Sequence, residues 1–371
     1  MKLLAFIVLL SGPALLAQTP APTQEPTTTP ESTFSVRSNL VLVPAMVKTK
    51  GGDVVFTLTA DDFVVTDDGV AQKLRLEDGT DSQPLALVVV VETGGSGVRH
   101  LDDYRGLDAV LDAVVGGVEH RVAVVAFDSA PALVQRFTTN TDAVAKTLGN
   151  LDQGDEHAAI LDGIGFAVDL LRKQPSTYRR AILLISETID HGSHLKLEDA
   201  LRAISDTNTA IYSIGFSSTK SDVGGEAGKL SSDDPGPEKG CFSRDPNDPN
   251  VDLTKSRGTQ TFDCLAMLAP PLRLAKMAEI LARNELKKNV PETVARLTGG
   301  EYFGFKDPKT LNRDLLTISN HIPNRYVLSF QPQSTHPGLH ALQLTLKDRP
   351  NLVVEARNAY WVDDDGAPAK P

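Results

Sequence analysis

Cysteine is almost missing from this chain: Cys241 and Cys264 are its only two in 371 residues. Two thiolates are too few for a cysteine-built zinc site, and the remaining use is a single disulfide, formed in an oxidising compartment and closing a long loop. Positive charge is scarce as well. Lys and Arg number 37 against 48 Asp and Glu, for a net charge of -11, which argues against nucleic acid or an acidic membrane surface as partner; no basic patch offsets it. Long apolar runs are missing too, because no stretch reaches the roughly 20 residues needed to span a bilayer as a helix.

What the first residues do contain is an export pattern. Lys2 supplies a positive end, Leu3 to Leu10 an apolar core too short for a membrane span, and "GPALLAQ" a small-residue exit, so residues 1–17 read as a signal peptide cut after Ala17. Loss of Lys2 takes the formal charge from -11 to -12. No cysteine follows the apolar core, so no lipid-attachment signal is expected, and the mature protein is expected in the periplasm or outside the cell.

Residues 18–33, "QTPAPTQEPTTTPEST", are a Pro/Thr-rich tether that cannot bury a core. The roughly 350 residues that follow the leader exceed one ordinary core. Residues 34–80 alternate apolar and polar positions, punctuated by Gly51-Gly52 and Asp68-Gly69, and read as an antiparallel meander. Asp61, Asp62, Asp67 and Asp68 lack the spacing of a calcium loop and read as turn and edge-strand residues.

From Ala86 the period changes. "ALVVVVE", "RVAVVAF", "AILLIS" and "AIYSIGF" are continuous apolar runs, as in strands buried on both faces of a parallel sheet. Between them "RHLDDYRGLDAVLDAVV", "HAAILDGIGFAVDLLRKQ" and "LKLEDALRAISDTN" are long enough for helices. Residues 84–322 therefore form an α/β domain, doubly wound around a mostly parallel sheet, with its site at the carboxyl ends of the strands. Within it, residues 217–270 are polar and rich in Gly, Pro and Asp, a long insertion closed by the Cys241–Cys264 pair. "LRLAKMAEILARNELKK", "VPETVARLTGG" with Gly299 as helix cap, "EYFGF" and "DPKTLNRDLLTISNHI" complete the domain. Residues 323–363 alternate again, and residues 364–371 are a tail. The economical architecture joins the two strand-rich ends into one β-sandwich, with the α/β domain inserted between them.

The turn after the first run, "ETGGSGVRH", offers Gly95, Gly97 and then His100 where a dinucleotide fingerprint requires its third glycine, and no lysine follows to make a phosphate loop. A nucleotide is therefore not expected. Together with the helix "HAAILDGIGFAV", the strand end "LLISETIDHGS" and the closing "RYVLSF" and "VEARNAYW", this turn resembles secreted bacterial von Willebrand factor A-related domain proteins over about residues 37 to 363. The resemblance implies a von Willebrand A fold and a metal-ion-dependent adhesion site. That site is degenerate here. Where the family pattern has Asp-x-Ser-x-Ser, this chain has Glu92, Gly94 and Ser96; where a threonine is expected it has Ala158; and Glu187 stands for a third-loop aspartate.

Glu92, Ser96 and Glu187 are thus the candidate metal ligands. Magnesium demands near-octahedral oxygens, so the resemblance leaves no resident cofactor expected, or Mg2+ or Ca2+ bound weakly, with Asp155, His157 and Asp190 on the same rim. No triad order supports Ser96 with His100 or His157 as a nucleophile and base. His191 and His194 read as polar loop residues. The expected function is a non-enzymatic, exported protein–protein interaction module of adhesion type, with an unidentified protein partner. The alternatives are an exported hydrolase using the strand-end carboxylates Glu92 and Glu187 as acid and base, or a bound metal, and a structural part of a cell-surface assembly.

Overall fold

The computed structural model describes residues 40–77, 83–104, 114–115, 118–216, 289–333 and 336–362. These belong to one unit that begins at Ser38. The expected leader, the tether, the insertion 217–270 with its Cys241–Cys264 pair, the helix at 272–288 and the tail lie outside the described residues.

Strand β5 (Leu85–Glu92) is buried at every position, and its alternate side chains show why. Leu85, Leu87, Val89 and Val91 enter one apolar cluster, while Ala86, Val88 and Val90 enter another. A strand with core on both faces has no solvent-facing side, so the sequence loses its polar alternation. The first cluster takes helices α1 (Thr141–Leu148) and α5 (Pro308–His321). The second takes α2 (Ile160–Arg172), α3 (Leu197–Thr207) and α4 (Val290–Thr298). Around β5 the sheet also contains β6 (His120–Phe127), β7 (Pro131–Thr138), β8 (Arg179–Glu187), β9 (Ala210–Phe216) and β10 (Tyr302–Gly304), in the order β10-β9-β8-β5-β6-β7. All neighbours are parallel except β6 and β7.

The doubly wound, mostly parallel sheet is the expected one. Its antiparallel edge strand β7 and the helix α1 behind it were not anticipated, although β7 carries a regular half-buried alternation. The helix expected over residues 99–115 begins instead as a 3-10 turn, Gly97–Tyr104. Chain order matters for the site: β6 lies on one side of β5 and β8 on the other, so the connections after β5 and β8 diverge and leave a crevice at their carboxyl ends.

The strand-rich ends form two four-stranded sheets. One has the order β13-β1-β11-β4 and the other β14-β12-β2-β3. Their members are β1 (Val41–Thr49), β2 (Phe63–Asp67), β3 (Val70–Ala71), β4 (Arg75–Leu76), β11 (Tyr326–Phe330), β12 (Gly338–Leu346), β13 (Leu352–Ala356) and β14 (Ala359–Val362). Val43, Val47, Phe63, Val65, Leu328, Phe330, Leu342 and Tyr360 share one apolar cluster across both sheets. The expected N-terminal meander is not formed. β1 pairs with β11 and β13, and β2 with β12 and β3; alternation gave the buried faces correctly but carries no information about partners. Both glycine turns do make local hairpins: Gly51-Gly52 returns the chain so that Lys48 bridges Val54, with the Val55 N–H donating to the Val47 carbonyl at 2.9 Å, and Asp68-Gly69 joins β2 to β3, with Asp68 at φ 47° and Gly69 at φ 84°.

Buried charge ties this layer to the α/β domain. Arg357, 4% exposed, donates to the Ala359 carbonyl at 2.7 Å, to Asn208 Oδ1 at 3.1 Å and to Ser205 Oγ at 3.0 Å. Glu301 accepts from Lys48 at 3.0 Å and Arg325 at 3.1 Å and lies 2.8 Å from His321 Nδ1. Burial raises the Glu301 carboxyl's pKa, yet the His321 hydrogen bond and the Arg325, His321 and Lys48 charges outweigh it and bring the group down to about 2.

Candidate functional site at the strand ends

Glu92 is the last residue of β5 and Glu187 the last of β8. The strands run parallel, with Val91 opposite Ile185, so the two carboxylates leave the sheet side by side. Neither reaches solvent: Glu92 is 0% and Glu187 2% exposed. Both Glu92 oxygens are engaged by main chain. Oε1 accepts from the Gly97 N–H at 2.8 Å, which folds the glycine-rich turn back over the strand. Oε2 accepts from the Glu187 N–H at 2.7 Å, which bolts β5 to the end of β8.

Glycine is required above this pair. Gly95 has φ +44°, and a Cβ there would lie 3.2 Å from Glu187 Oε1 and 3.3 Å from Glu92 Oε1. The two carboxylates therefore face one point beneath the turn. Burial first, and then the charge of Glu187, push the Glu92 carboxyl up to about 8, leaving it mostly protonated at neutral pH. Glu187 Oε1 lies 3.6 Å from His191 Nε2, and its Oε2 has no hydrogen-bond partner among the described residues.

The neighbouring loops close over the turn through backbone hydrogen bonds. Gly95 N–H donates to the Asp155 carbonyl and Gly154 N–H to the Thr93 carbonyl, both at 2.9 Å; Ala158 and His191 exchange a pair at 3.1 and 2.8 Å. Asp128 supports this closure by accepting from the Ala130 N–H at 3.1 Å and the Asp155 N–H at 3.2 Å. Asp190, raised by burial, accepts from the Leu161 N–H at 3.2 Å and the Ser193 hydroxyl at 2.6 Å. Asp162 accepts from the His194 and Leu195 N–H groups at 3.0 and 2.7 Å. These rim aspartates fasten loops to the start of α2.

A divalent ion of the kind the resemblance implies needs several oxygens around one point, and the residues present do not fit it. Gly94 occupies a position where a hydroxyl is expected, and a Cβ there would lie 2.2 Å from the His157 carbonyl oxygen and 2.8 Å from that of Asp155. A serine is excluded unless the second loop moves away. Ala158 offers no oxygen from its side chain, and each Glu92 oxygen is already turned toward a backbone N–H. Ser96 is buried at 5% exposure in the same turn, and the Glu92 and Glu187 carboxyls lie beneath it around the Gly95 position.

The other sequence candidates are placed differently. His100 Nδ1 pairs with Asp103 at 3.0 Å, and its ring packs on Phe216 and Phe305 with centroids 4.4 and 4.7 Å away; it serves the 3-10 turn. The His157 side chain is exposed, 3.5 Å from Asp155, and His194 pairs with Asp162 at 3.2 Å. A hollow of about 520 Å³ opens beside the turn, lined by Thr93, Asp128, Lys146, Asn150 and Gly154 among others. Neither glutamate lines it.

Residues 87–189 match the family model of the von Willebrand factor type A domain. That segment contains most of β5, all of β6 and β8, both glutamates and the 154–158 loop. Among solved structures, the chain is similar to an aerotolerance-related membrane protein from Bacteroides fragilis carrying multiple mutations to serine, at 13% identity and a TM-score of 0.34, covering 64% of this chain and 100% of that one. It is also similar to the conserved hypothetical protein BatB from Bacteroides thetaiotaomicron, at 13% identity and TM-score 0.31 over 64% and 99% of the two chains. Proximal thread matrix protein 1 from the mussel byssus gives 10% identity and TM-score 0.38 over 76% of this chain and 50% of that one. A search of the curated proteins finds no match.

Proposed function

We propose that this chain, which carries a von Willebrand factor type A domain in residues 87–189, is an exported protein-interaction module that recognises its partner without a resident cation at the strand ends. The observation that carries the proposal is the engagement of both Glu92 oxygens by backbone N–H groups beneath a turn closed by the 154–158 loop. A ligand carboxylate arriving to complete a metal shell has no shell to complete. Domains of this type generally mediate protein–protein contacts, and that role survives on other surfaces of the same edge.

The surface proposed is the one from which residues 217–288 spring. Phe216, the last residue of β9, is in register with Glu187, and the chain returns at α4, where the Val290 N–H donates to the Thr188 carbonyl at 2.8 Å. The described chain thus stops and resumes beside the closed site, and the polar insertion that the sequence suggests over residues 217–270 is well placed there to carry recognition. Export rests on the leader pattern of residues 1–17. None of the described helices is long and apolar enough to cross a membrane.

The hydrolase alternative has less support, because acid–base work by Glu92 and Glu187 requires contact with a substrate and both are buried. The test is capture by immobilised mature protein from envelope extract, repeated with and without added magnesium and calcium and with residues 221–265 deleted. Capture of a defined protein that ignores the two cations and is lost on deletion is the expected result. Capture that needs either cation contradicts the proposal.

A further inference from the structure

A second group of buried titratable side chains lies in the two-sheet layer. Asp67 ends β2, and Asp68 opens the turn to β3. His340 sits inside β12, opposite Tyr360 of β14, and His336 just precedes that strand. Asp68, His336 and His340 each present a ligand atom within 4.8 Å of the other two. Asp68 is 4% and His340 0% exposed, whereas the His336 side chain, at 14%, is the member nearest solvent.

Hydrogen bonding fixes the direction of each ring. His340 Nε2 lies 2.8 Å from the His336 carbonyl oxygen, which can only accept, so this nitrogen carries a hydrogen. His340 Nδ1 then faces Asp68 Oδ2 at 2.9 Å and Asp67 Oδ1 at 3.1 Å. His336 Nε2 approaches the same Asp68 oxygen at 2.9 Å, and the two imidazoles stack with centroids 4.0 Å apart. Two ring nitrogens and two carboxylate oxygens therefore converge, and positive charge must stand between them, either as protons or as a cation.

The surrounding contacts are of the kind that orient metal ligands. Asp68 Oδ1 accepts from the Ala341 N–H at 2.9 Å, Asp67 Oδ2 accepts from the Tyr360 hydroxyl at 2.8 Å, and the far nitrogen of His340 donates to a carbonyl, so tautomer and orientation are set by outer partners. We propose that Asp68, His336 and His340 bind a late first-row divalent cation, zinc being the natural probe, with Asp67 as the adjacent second carboxylate. Two neutral imidazoles and one carboxylate suit zinc, cobalt or nickel and not magnesium or calcium, which prefer oxygen shells. The two carboxylates balance a double positive charge. Such an ion joins residues 268 and 272 positions apart in sequence, linking the N-terminal hairpin to the C-terminal strands.

The experiment is a zinc titration of the metal-stripped full chain by calorimetry, with thermal unfolding at each step and cobalt absorption spectra in parallel. One saturable equivalent, a rise in melting temperature and visible cobalt bands are expected in wild type. In His336→Ala the affinity should fall by more than the ~10–100-fold that follows loss of an outer partner, with metal-free circular dichroism unchanged because His340, Asp67 and Tyr360 remain together. Asp68→Asn provides the second variant, and His336→Asn replaces His336→Ala if the latter does not fold. No saturable binding in wild type, or binding that survives both variants and so belongs to surface histidines, overturns the proposal in favour of a proton-bridged cluster.

Discussion

Replacing Glu92 by glutamine should remove much of the stability that this protein loses as pH rises from 5 to 8. The Glu92 carboxyl is raised from 4.5 to about 8, by burial and then by Glu187. A raised acid binds its proton more tightly in the folded than in the unfolded state, so its contribution to stability is complete below the unfolded value and declines as pH climbs toward the folded one. At about 1.4 kcal/mol per unit, the decline attributable to Glu92 is about 3 kcal/mol at pH 7 and about 5 kcal/mol by pH 8 and above. Arg99, whose charge favours the ionised form, already opposes the shift.

Glutamine cannot ionise, so the variant lacks this slope. It also presents one acceptor where the carboxylate has two, which leaves either the Gly97 or the Glu187 N–H facing an amide NH2, at a cost of about 1–3 kcal/mol. The two stability curves should therefore cross, with the variant weaker at pH 5 and equal or stronger at pH 8. Urea unfolding at half-unit pH steps measures this as the difference between the two proteins. The difference is the right quantity because titrating groups remote from Glu92 contribute equally to the two curves and cancel. Parallel curves for wild type and variant would refute the reasoning.

Three further perturbations test other parts of the structure. Gly94→Ala places a methyl 2.2 Å from the His157 carbonyl oxygen, and forcing the second loop away should destabilise the protein by about 1–3 kcal/mol or more, read by denaturant midpoint. Glu301→Gln leaves Lys48, His321 and Arg325 without their shared carboxylate and should cost about 3–5 kcal/mol at neutral pH. Because Glu301 is lowered to about 2, its contribution is present above 4.5 and lost as pH falls toward 2, so acid-unfolding curves of wild type and variant should converge there. Arg357→Ala strips donors from the Ala359 carbonyl, Asn208 and Ser205 and should lower thermal stability by about 2–4 kcal/mol; hydrogen exchange should loosen first where β14 meets α3.

How much of this was legible beforehand depends on the kind of signal. β5, β6, β8 and β9 were readable because burial on both faces abolishes alternation, and the helix end at Gly299 was readable from local capping chemistry. β7 alternates as a half-buried edge strand does, a signal that its sequence carries. Pairing of β1 and β2 with C-terminal strands was not legible, since alternation specifies a face and not a neighbour. Glu92 and Glu187 were recognisable as strand-end carboxylates, but the closure above them turns on a Gly94-to-carbonyl approach that no spacing encodes. Asp67 and Asp68 were read as edge-strand turn residues; they are 3% and 4% exposed. The corrective signal was the His336 and His340 spacing, "HPGLH", which acquires meaning only when β12 is laid against β2.

The central claim, that the strand-end site is closed and holds no cation, is tested most directly by calorimetric titration of the metal-stripped protein with magnesium and with calcium, on wild type and on Ser96→Ala. The account predicts no saturable heat from either ion that depends on Ser96. One equivalent of magnesium or calcium, bound by wild type and lost in Ser96→Ala, would contradict it and return ligand recognition to the glycine-rich turn.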